Sequence, residues 1–374
     1  MGTVDSGIDN EQNCEKREPF MLLENERWWR DHYDVFIRHG YKLRPRFHPD
    51  WTPSWAGTKK LPFRCEDGLT NKLAQYPKTM DAKRNGRRIK MKKLAKGSKE
   101  LEIARFLSSA EMLKDPRNRC VPVLDVFSDE DSHLEFMVMP LLSRYSEPPF
   151  STVDEALDFV KQLLEGLVFM HEHGVAHRDC SANNIMMDGE PLYPKGFHPS
   201  LSFLDAEGKI ARPRRRRDTR GVKYYFTDFG ISSWFQSVEE TRLVTGQDGL
   251  DRDVPELRHF DPYDPFPVDI FILGNIFRKE LTDVYENMGF LDPLVERMMR
   301  QNPCERPTAE EALHLFDSLV QEQSPRSLRW SLIYCDGTRL DRFVWTTVSS
   351  VNEAFVQFKS FLSFLKRKPL RGLD

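Results

Sequence analysis

The sequence lacks a long apolar run, a closely spaced pair of cysteines and a large excess of charge. No apolar stretch reaches the roughly 20 residues that a membrane-spanning helix needs. The first residues, MGTVDSGIDNEQNCEKRE, carry no apolar core of the kind found in signal peptides. The six cysteines are scattered, which fits neither a zinc site nor a disulfide framework. These absences predict an intracellular protein, in the cytoplasm or the nucleus, with no transmembrane segment.

The charge balance gives no general reason to expect nucleic acid or an anionic membrane as a partner. Lys and Arg total 55 against 58 Asp and Glu, a formal net charge of -3. What the sequence does contain is 39% hydrophobic residues over 374 positions, enough for one large packed domain or two ordinary ones. We therefore expect a globular protein with no specific nucleic-acid partner.

Composition and hydrophobic periodicity divide the chain into five regions. Helical spacing of apolar residues from Leu22 to Ile37 ends at Gly40, and the prolines that follow deny regular structure. The predicted regions are a disordered tail (1–19), an N-terminal extension (20–75), a small sheet region (76–142), a helical region (143–322) with a basic insertion at about 190–222, and a C-terminal extension (323–374).

The small sheet region combines short extended runs with one helix. Asn85-Gly86 is a strong two-residue hairpin pattern, Ser98 is a candidate N-cap, and two further strands flank the acidic turn of VPVLDVFSDEDSHLEFMVMPLL. In the following region TVDEALDFVKQLLEGLVFMHEHG has a continuous apolar face, which is typical of an amphipathic helix. A sheet region followed by a helical region predicts an α+β protein.

Two short motifs point to phosphoryl transfer. HRDCSANN places Asn184 five residues after Asp179, and TDFG contains Asp228. Phosphoryl transfer needs a nucleophile held in line and metal ions that neutralise the phosphates. Carboxylate and amide oxygens suit Mg²⁺, a hard cation that accepts few protein ligands.

These motifs and three later features stand in the order found in eukaryotic protein kinases, which residues from about 76 to 320 resemble. The later features are Pro255-Glu256, Asp269 at the start of an apolar helix, and Arg306 before Pro307-Thr308. VPVLDVF, PYDPF and MMDGEPLYP are similar to a fungal group of kinase-like proteins. The resemblance implies a bilobal fold with a small β-rich N-lobe containing one main helix, a larger helical C-lobe, and extensions at both ends.

The resemblance also implies roles for individual residues. Asp179 orients the substrate hydroxyl and accepts its proton, and Arg178 reads a phosphorylated activation segment, in which Thr245 is the first candidate. Asn184 and Asp228 hold Mg²⁺. ATP is the implied phosphate donor, and a protein hydroxyl, of Ser or Thr rather than Tyr, is the acceptor.

The family also has a lysine that contacts the phosphates and a glutamate that pairs with it, and the sequence offers two candidates for each. Alternation along IKMKK places Lys90 and Lys92 on one face of a strand, and Lys92 matches the family's lysine better than Lys90. For its partner on the helix, Glu102 fits better than Glu100, because the apolar residues of LEIARFL then face the core.

The nucleotide pocket departs from the family pattern. No GxGxxG loop precedes the hairpin, and the nearest upstream glycine is Gly68. Met139 and Leu141 are the candidates that line the pocket. With Lys92 as the anchor, the long side chain of Lys90 stands where the family has a small alanine beside adenine.

The region that would contact the substrate also departs from the family pattern. The family's lysine two residues after the catalytic aspartate is Ser181 here, and GLDRD offers no threonine before Pro255-Glu256 to contact such a lysine. Loss of a cation beside the transferring phosphoryl group predicts slower catalysis. A pseudokinase scaffold is therefore the first alternative. A small-molecule phosphotransferase is the second, although it would not share the features at Asp269 and Arg306.

Two segments outside these motifs could contact partners. One segment is rich in arginine: ARPRRRRDTRG, with Arg212 and 214–217. It could be a nuclear-import signal or a patch that binds an anionic partner, or it could be a solvated insertion. We favour the solvated insertion. The C-terminal extension carries an apolar stripe that could dock on the large lobe or bind a partner (Phe355, Phe358, Phe361 and Phe364).

Overall fold

The structure is a computed structural model that describes residues 22–62, 65–68, 78–199, 201, 203–205, 207–219, 221–237, 241–337 and 347. The predicted disordered tail and the apolar stripe of the C-terminal extension lie outside the described residues. In the described part of the chain, a sheet-rich lobe precedes a helical lobe, so the predicted bilobal α+β fold is confirmed.

The strands, in chain order, are β1 (Lys42–Leu43), β2 (Thr79–Arg84), β3 (Arg87–Ala95), β4 (Asp125–Asp129), β5 (Leu134–Pro140), β6 (Ser143–Arg144), β7 (Val175–Ala176), β8 (Ile185–Met187), β9 (Tyr224–Phe226) and β10 (Ser233–Trp234). The helices are α1 (Glu24–Asp31), α2 (Tyr33–Arg38), α3 (Lys99–Leu107), α4 (Val153–Glu172), α5 (Pro265–Phe277), α6 (Asp292–Met298), α7 (Ala309–Gln321) and α8 (Pro325–Leu328).

The small lobe is built on an antiparallel sheet in the order β1-β2-β3-β5-β4. Asn85 and Gly86 join β2 to β3 with φ of 49° and 76°, the left-handed backbone that a tight hairpin turn requires. The predicted hairpin is therefore confirmed. The sheet begins earlier than the predicted boundary at 76, since Lys42 and Leu43 pair with β2. A two-residue strand has no period to detect, which is why the sequence did not reveal it.

Alternation along β3 separates the two faces of this sheet. Ile89 and Met91 are buried with Trp29 and other aromatic residues of α1, α2 and β5. Lys90 and Lys92 lie on the opposite face, which is turned towards the cleft between the lobes. The N-terminal helices therefore cover the outer face of the sheet and leave the inner face to the site.

Buried charges fix the described segment that follows β1, residues 44–62 and 65–68. Arg46 donates from Nη2 to Glu26 Oε2 at 2.8 Å and from Nη1 to the Asp67 carbonyl at 2.6 Å, and the side chains of Arg46 and Glu26 are fully buried. The Asp67 carboxylate accepts from the Ser54 hydroxyl at 2.6 Å and from the Trp51 indole at 3.1 Å. Because a buried charge is costly unless it is paired, these contacts hold the segment in one arrangement.

The large lobe is organised around two helices. The amphipathic helix predicted before the HRD motif is α4, and its buried face packs in the main hydrophobic core. Helix α5 is buried on nearly all sides, as expected for a helix that is apolar all round. Asp264 caps it by accepting from the Phe266 N–H at 3.0 Å. Among the described residues, no helix combines the length and apolar character needed to cross a membrane.

The basic insertion is only partly the solvated segment that we predicted. Arg212 and its exposed neighbours fit that prediction, but Arg216 is buried. Its guanidinium donates to the Tyr145 carbonyl at 2.6 Å and to the Tyr224 hydroxyl at 3.0 Å, and it lies 4.7 Å from the centre of the Phe150 ring. Arg216 therefore anchors the insertion to the large lobe, because these carbonyl and aromatic partners satisfy its charge.

Candidate active site

Helix α5 holds the catalytic loop through its main chain. The loop follows β7, and the fully buried Asp269 accepts from the N–H of His177 at 2.8 Å and of Arg178 at 2.7 Å. Arg178 has a φ of 67°, an uncommon conformation for a residue with a side chain. Two charge-assisted hydrogen bonds, donated by these N–H groups to one buried carboxylate, stabilise this conformation.

Asp179 and Asn184 meet at the centre of the loop. Asn184 donates from Nδ2 to Asp179 Oδ2 at 2.7 Å and to the Asp179 carbonyl at 2.8 Å. The other carboxylate oxygen of Asp179 accepts from the Leu250 N–H at 2.9 Å. Burial raises the pKa of Asp179, although the hydrogen bonds from Leu250 and Asn184 oppose that rise. A raised pKa brings this carboxylate closer to the range in which a general base works.

Lys92 connects the small lobe to Asp228. Its Nζ lies 2.5 Å from Glu100 Oε1 and 2.8 Å from Asp228 Oδ1. Burial would lower the pKa of Lys92, but the two carboxylates outweigh it and raise the pKa. Burial would likewise raise the pKa of Asp228, yet Lys92 holds it below its usual value. Lys92 and Asp228 are therefore both charged at neutral pH.

The prediction of Glu102 as the partner of Lys92 is wrong. Glu102 is exposed, whereas Glu100 is buried and makes the ion pair. The reason is the rotation of α3 about its axis. Glu100 shares a helix face with Ala104, four residues later, and with Leu107, three residues after that, and both are buried. Glu102 falls on the opposite face, because the buried face of this short helix is rotated from the one that the apolar pattern of LEIARFL predicts.

The metal-binding prediction rests on Asn184 and Asp228, and their chemistry fits Mg²⁺. Both hydrogen bonds from Asn184 use Nδ2, which leaves its Oδ1 as the available ligand atom. Asp228 keeps one carboxylate oxygen beyond its contact with Lys92, and 51% of its side chain is exposed to the cleft. An amide oxygen and a charged carboxylate are suitable oxygen ligands for this ion.

A second charged cluster lies on the same face of the small-lobe sheet. We call it the polar cluster, and it consists of Arg44, Glu66, Asp81, Lys90 and His198. Arg44 lies 3.4 Å from Asp81 and 3.5 Å from Glu66, and Asp81 pairs across the strands with Lys90. His198 is fully buried with Nε2 4.0 Å from Glu66, so the insertion of the large lobe reaches the small lobe here.

The predicted pocket residues lie beside the polar cluster. Met139 pairs across the strands with Lys90, and both Met139 and Leu141 are buried in the main core. Their contact with a nucleotide remains a prediction. The cluster itself was not predicted, because Arg44 and His198 are far apart in the sequence and belong to no motif.

Arg178 ties the activation segment to the catalytic loop. Its guanidinium donates to the carbonyls of Ile231 at 3.0 Å and Thr245 at 2.9 Å, and to the Tyr263 hydroxyl at 3.2 Å. The Thr245 side chain is exposed. Phosphorylation of Thr245 remains a prediction. Arg178 already bonds to neutral acceptors in this segment, which is a suitable neighbourhood for added negative charge.

The end of the activation segment is fixed by a buried ion pair. Arg306 donates from Nη1 and Nη2 to the two carboxylate oxygens of Glu256, at 2.6 Å and 2.9 Å. The guanidinium also donates to the Arg300 carbonyl at 2.7 Å and the Pro267 carbonyl at 2.9 Å. The bidentate geometry gives directional strength, and the carbonyls satisfy the remaining donors.

The two-lobed fold and this site, with a lysine bridging two carboxylates above an Asp-Asn loop, define the class of kinase-like folds. The chain belongs to the protein kinase family: the family model "Protein kinase domain" matches residues 77–282, more than half of the 374 residues. The resemblance seen in the sequence is thereby confirmed.

Individual relatives are similar over part of their length. A "Probable myosin light chain kinase" of Dictyostelium discoideum is 25% identical over 184 residues, 47% of this chain and 39% of that protein. A "Probable serine/threonine-protein kinase" of Saccharomyces cerevisiae is 28% identical over 210 residues, 50% of this chain and 24% of that protein. One of the same description from Candida glabrata is 34% identical over 128 residues, 33% of this chain and 12% of that protein. The chain therefore spans well under half of each relative.

Proposed function

We propose that the protein transfers the terminal phosphoryl group of ATP to a hydroxyl of a protein substrate, serine or threonine in preference to tyrosine. The observation that carries this proposal is the position of Lys92, whose Nζ contacts both Glu100 and Asp228. In protein kinases this ion pair and the DFG aspartate must both be in place for transfer to occur. The two yeast relatives, whose names describe probable serine/threonine-protein kinases, support the same acceptor class.

Each polar residue of the site has a distinct role in this proposal. Asp179 orients the acceptor hydroxyl and takes its proton, while Asn184 holds the Asp179 carboxylate through Nδ2. Asn184 Oδ1 and Asp228 would hold Mg²⁺, which when bound neutralises charge on the phosphates. Lys92 would contact the phosphates as a fixed cation. Ser181 supplies no cation beside the acceptor, so we expect slow turnover.

A pseudokinase is the second candidate, and the polar cluster is the observation that favours it. Lys90 stands where the family resemblance implies a small residue beside adenine, and Asp81 lies opposite it. Charged side chains disfavour an apolar base, since burying them beside it costs desolvation. A protein of this kind would hold partners without turning over ATP.

Intact-mass spectrometry separates the two candidates. Phosphatase-treated protein is incubated with ATP and Mg²⁺ and monitored for gains in steps of about 80 Da, the mass of one phosphate group. We expect gains in the wild type and a rate lower by roughly 10²- to 10⁴-fold in Asp179→Asn, the range for loss of a general base. Asp228→Asn should lower the rate as well, because it removes the charge of a carboxylate that would hold Mg²⁺. Asp50→Asn is the control, because the Asp50 side chain is 92% exposed and far from the site in the sequence.

An unchanged mass in every sample, together with no shift in melting temperature on addition of ATP, would support the pseudokinase. Equal gains in the wild type and Asp179→Asn would show that the phosphate arrives by another route, such as a contaminating kinase.

A further inference from the structure

The catalytic aspartate of this chain lacks both side chains that hold it in related kinases. The family resemblance implies a lysine at the position of Ser181 and a threonine in the segment GLDRD, and neither is present. A carboxylate that must accept a proton from a bound hydroxyl needs a fixed orientation, because small displacements are costly in rate. Something else must therefore orient the outer oxygen of Asp179.

The contact present in this chain comes from the main chain. The N–H of Leu250 donates to Asp179 Oδ1 at 2.9 Å, while Asn184 Nδ2 holds Oδ2 at 2.7 Å. Each oxygen thus has one donor at hydrogen-bond distance. The Ser181 side chain is near enough to lower the pKa of Asp179 as well, but its hydroxyl makes no hydrogen bond of ordinary geometry. A carboxylate oxygen has two lone pairs, so Oδ1 can still accept a hydrogen bond from a substrate hydroxyl.

Gly249 allows the backbone to come this close. A Cβ atom at this position would lie 3.1 Å from the Arg178 carbonyl oxygen and 2.9 Å from Leu257 Cδ1, both tighter than ordinary contact. The side chain of Leu250, by contrast, is 53% exposed. Packing of the Leu250 side chain is therefore not what brings its N–H to Asp179.

Helix α5 holds the residues that follow Leu250 in the chain. Asn275, which is 1% exposed, donates from Nδ2 to Asp251 Oδ2 at 2.7 Å and to Asp253 Oδ2 at 3.0 Å. Lys279 Nζ adds a contact of 2.7 Å to Asp253 Oδ2. The same helix carries Asp269, which holds the catalytic loop. One rigid element therefore fixes both partners of the hydrogen bond.

We propose that the Leu250 N–H is a positioning group for Asp179 and takes the place of the missing lysine and threonine side chains. This inference rests on the proposed kinase activity. A neutral donor orients the carboxylate without adding charge beside the phosphoryl group. The Asp179 carboxylate therefore keeps the orientation that the family's lysine and threonine provide, but the positive charge of that lysine is lost. Asn275 and Gly249 contribute by fixing the backbone that carries the donor.

The most direct test replaces the amide at Leu250 by an ester, using the α-hydroxy acid analogue of leucine. This change removes the N–H and preserves the side chain and the shape of the backbone. We expect kcat for phosphoryl transfer to fall by about tenfold to a hundredfold, as for the loss of a hydrogen bond to a charged group. KM for MgATP should change by less than about twofold, because Leu250 lies on the acceptor side.

A pair of side-chain variants distinguishes positioning from a merely structural effect. Leu250→Ala retains the N–H and should keep the wild-type kcat. Leu250→Pro lacks the N–H and should lose kcat to about the same extent as the ester, with the KM for MgATP again nearly unchanged. A loss of kcat in Leu250→Ala equal to that of the ester would show that the side chain, and not the N–H, supports Asp179.

The outcomes separate this inference from the proposed function. Transfer by the wild type with an unchanged kcat in the ester variant would overturn the inference alone. Absence of transfer by the wild type would overturn the proposed function. In that case the amide proton of Leu250, observed by NMR, still tests the contact: its resonance should move upfield in Asp179→Ala, and an unmoved resonance refutes the contact.

Discussion

The two ends of one cleft differ sharply in how closely they follow the kinase pattern. At the phosphate end, Lys92 pairs with Glu100 and Asp228 in the arrangement that phosphoryl transfer requires. The base end is where the adenine of a nucleotide would lie. There Lys90, two residues before Lys92 on the same strand, faces Asp81 within the polar cluster. Strand geometry gives both lysines the same orientation, so only the surroundings distinguish them.

The surroundings explain why one lysine suits phosphate chemistry and the other does not. Burial lowers the pKa of Lys90, with Asp81 opposing that effect and Arg44 reinforcing it. Two carboxylates instead raise the pKa of Lys92. The fold therefore sets where a side chain points, and the charges that converge on it set what it can do. A kinase fold can retain the phosphate end while the base end changes.

The largest expected effect in this comparison comes from breaking the ion pair at the phosphate end. Glu100→Gln should lower the rate of phosphoryl transfer by about 10- to 100-fold, because Lys92 loses its charged partner and with it a charge-assisted hydrogen bond. Glu102→Gln is the matched control on the same helix. It should leave the rate unchanged, since Glu102 is exposed. Steady-state phosphorylation assays of the two variants provide the measurement, and equal losses would contradict the assignment of Glu100.

A smaller effect is expected at the base end. Lys90→Ala should tighten binding of MgATP about fivefold, because an apolar base gains a small neighbour and Asp81 remains paired with Arg44. Lys93→Ala is the control, since Lys93 lies on the outer face with Nζ 3.8 Å from the centre of the Trp28 ring. Calorimetric titration measures both affinities. Weaker binding by Lys90→Ala would mean that Lys90 itself contacts the nucleotide.

The smallest effect concerns the stability of the polar cluster at low pH. Burial lowers the pKa of His198 to about 4, with Arg44 and Arg88 acting in the same direction and Asp81 opposing them. Glu66 is the other charged group facing the ring. The unfolded chain, with an ordinary histidine pKa near 6.5, then binds more protons than the folded chain between about pH 6.5 and 4. The His198 contribution to the free energy of unfolding is therefore full above this window and is lost as pH falls, by at most about 1.4 kcal/mol per pH unit.

Chemical denaturation of the wild type and His198→Gln at pH 7, 6 and 5 tests this expectation. The difference in unfolding free energy between the two proteins should shrink or reverse towards pH 5. His314→Gln is the control, because the His314 side chain is 76% exposed. A difference for His198→Gln that does not vary with pH would show that His198 is not held neutral in the folded protein.

The sequence predicts the parts of the site that lie within short motifs. Asp179 and Asn184 come together because they lie five residues apart in one loop. Asp228 comes beside them because β8 and β9 pair, and the N–H of Thr227 donates to the Asn184 carbonyl at 2.8 Å. Alternation on a single strand restricts the anchor to Lys90 or Lys92, and the match to the family motif favours Lys92, which makes the contacts with Glu100 and Asp228. Glu102 was wrongly preferred to Glu100, because a short helix with several apolar residues allows more than one rotation.

Other parts of the site could not be predicted from the sequence. His198 reaches the small lobe from an insertion. Arg44 directly follows β1, and the long connection between β1 and β2 separates it in sequence from Asp81, so no local pattern joins these residues. The Leu250 N–H is a main-chain group, which any residue except proline supplies. Only the position of the backbone reveals its contact with Asp179.

The central claim, that the phosphate end is intact while the base end has changed, is tested most directly by comparing MgATP with magnesium tripolyphosphate, which has no base. Calorimetric titration of the full chain with each ligand gives the two dissociation constants. The account predicts values within about tenfold of each other, because most of the binding free energy comes from the phosphates. Binding of MgATP more tightly by about a hundredfold or more, or no binding of either ligand, would contradict it.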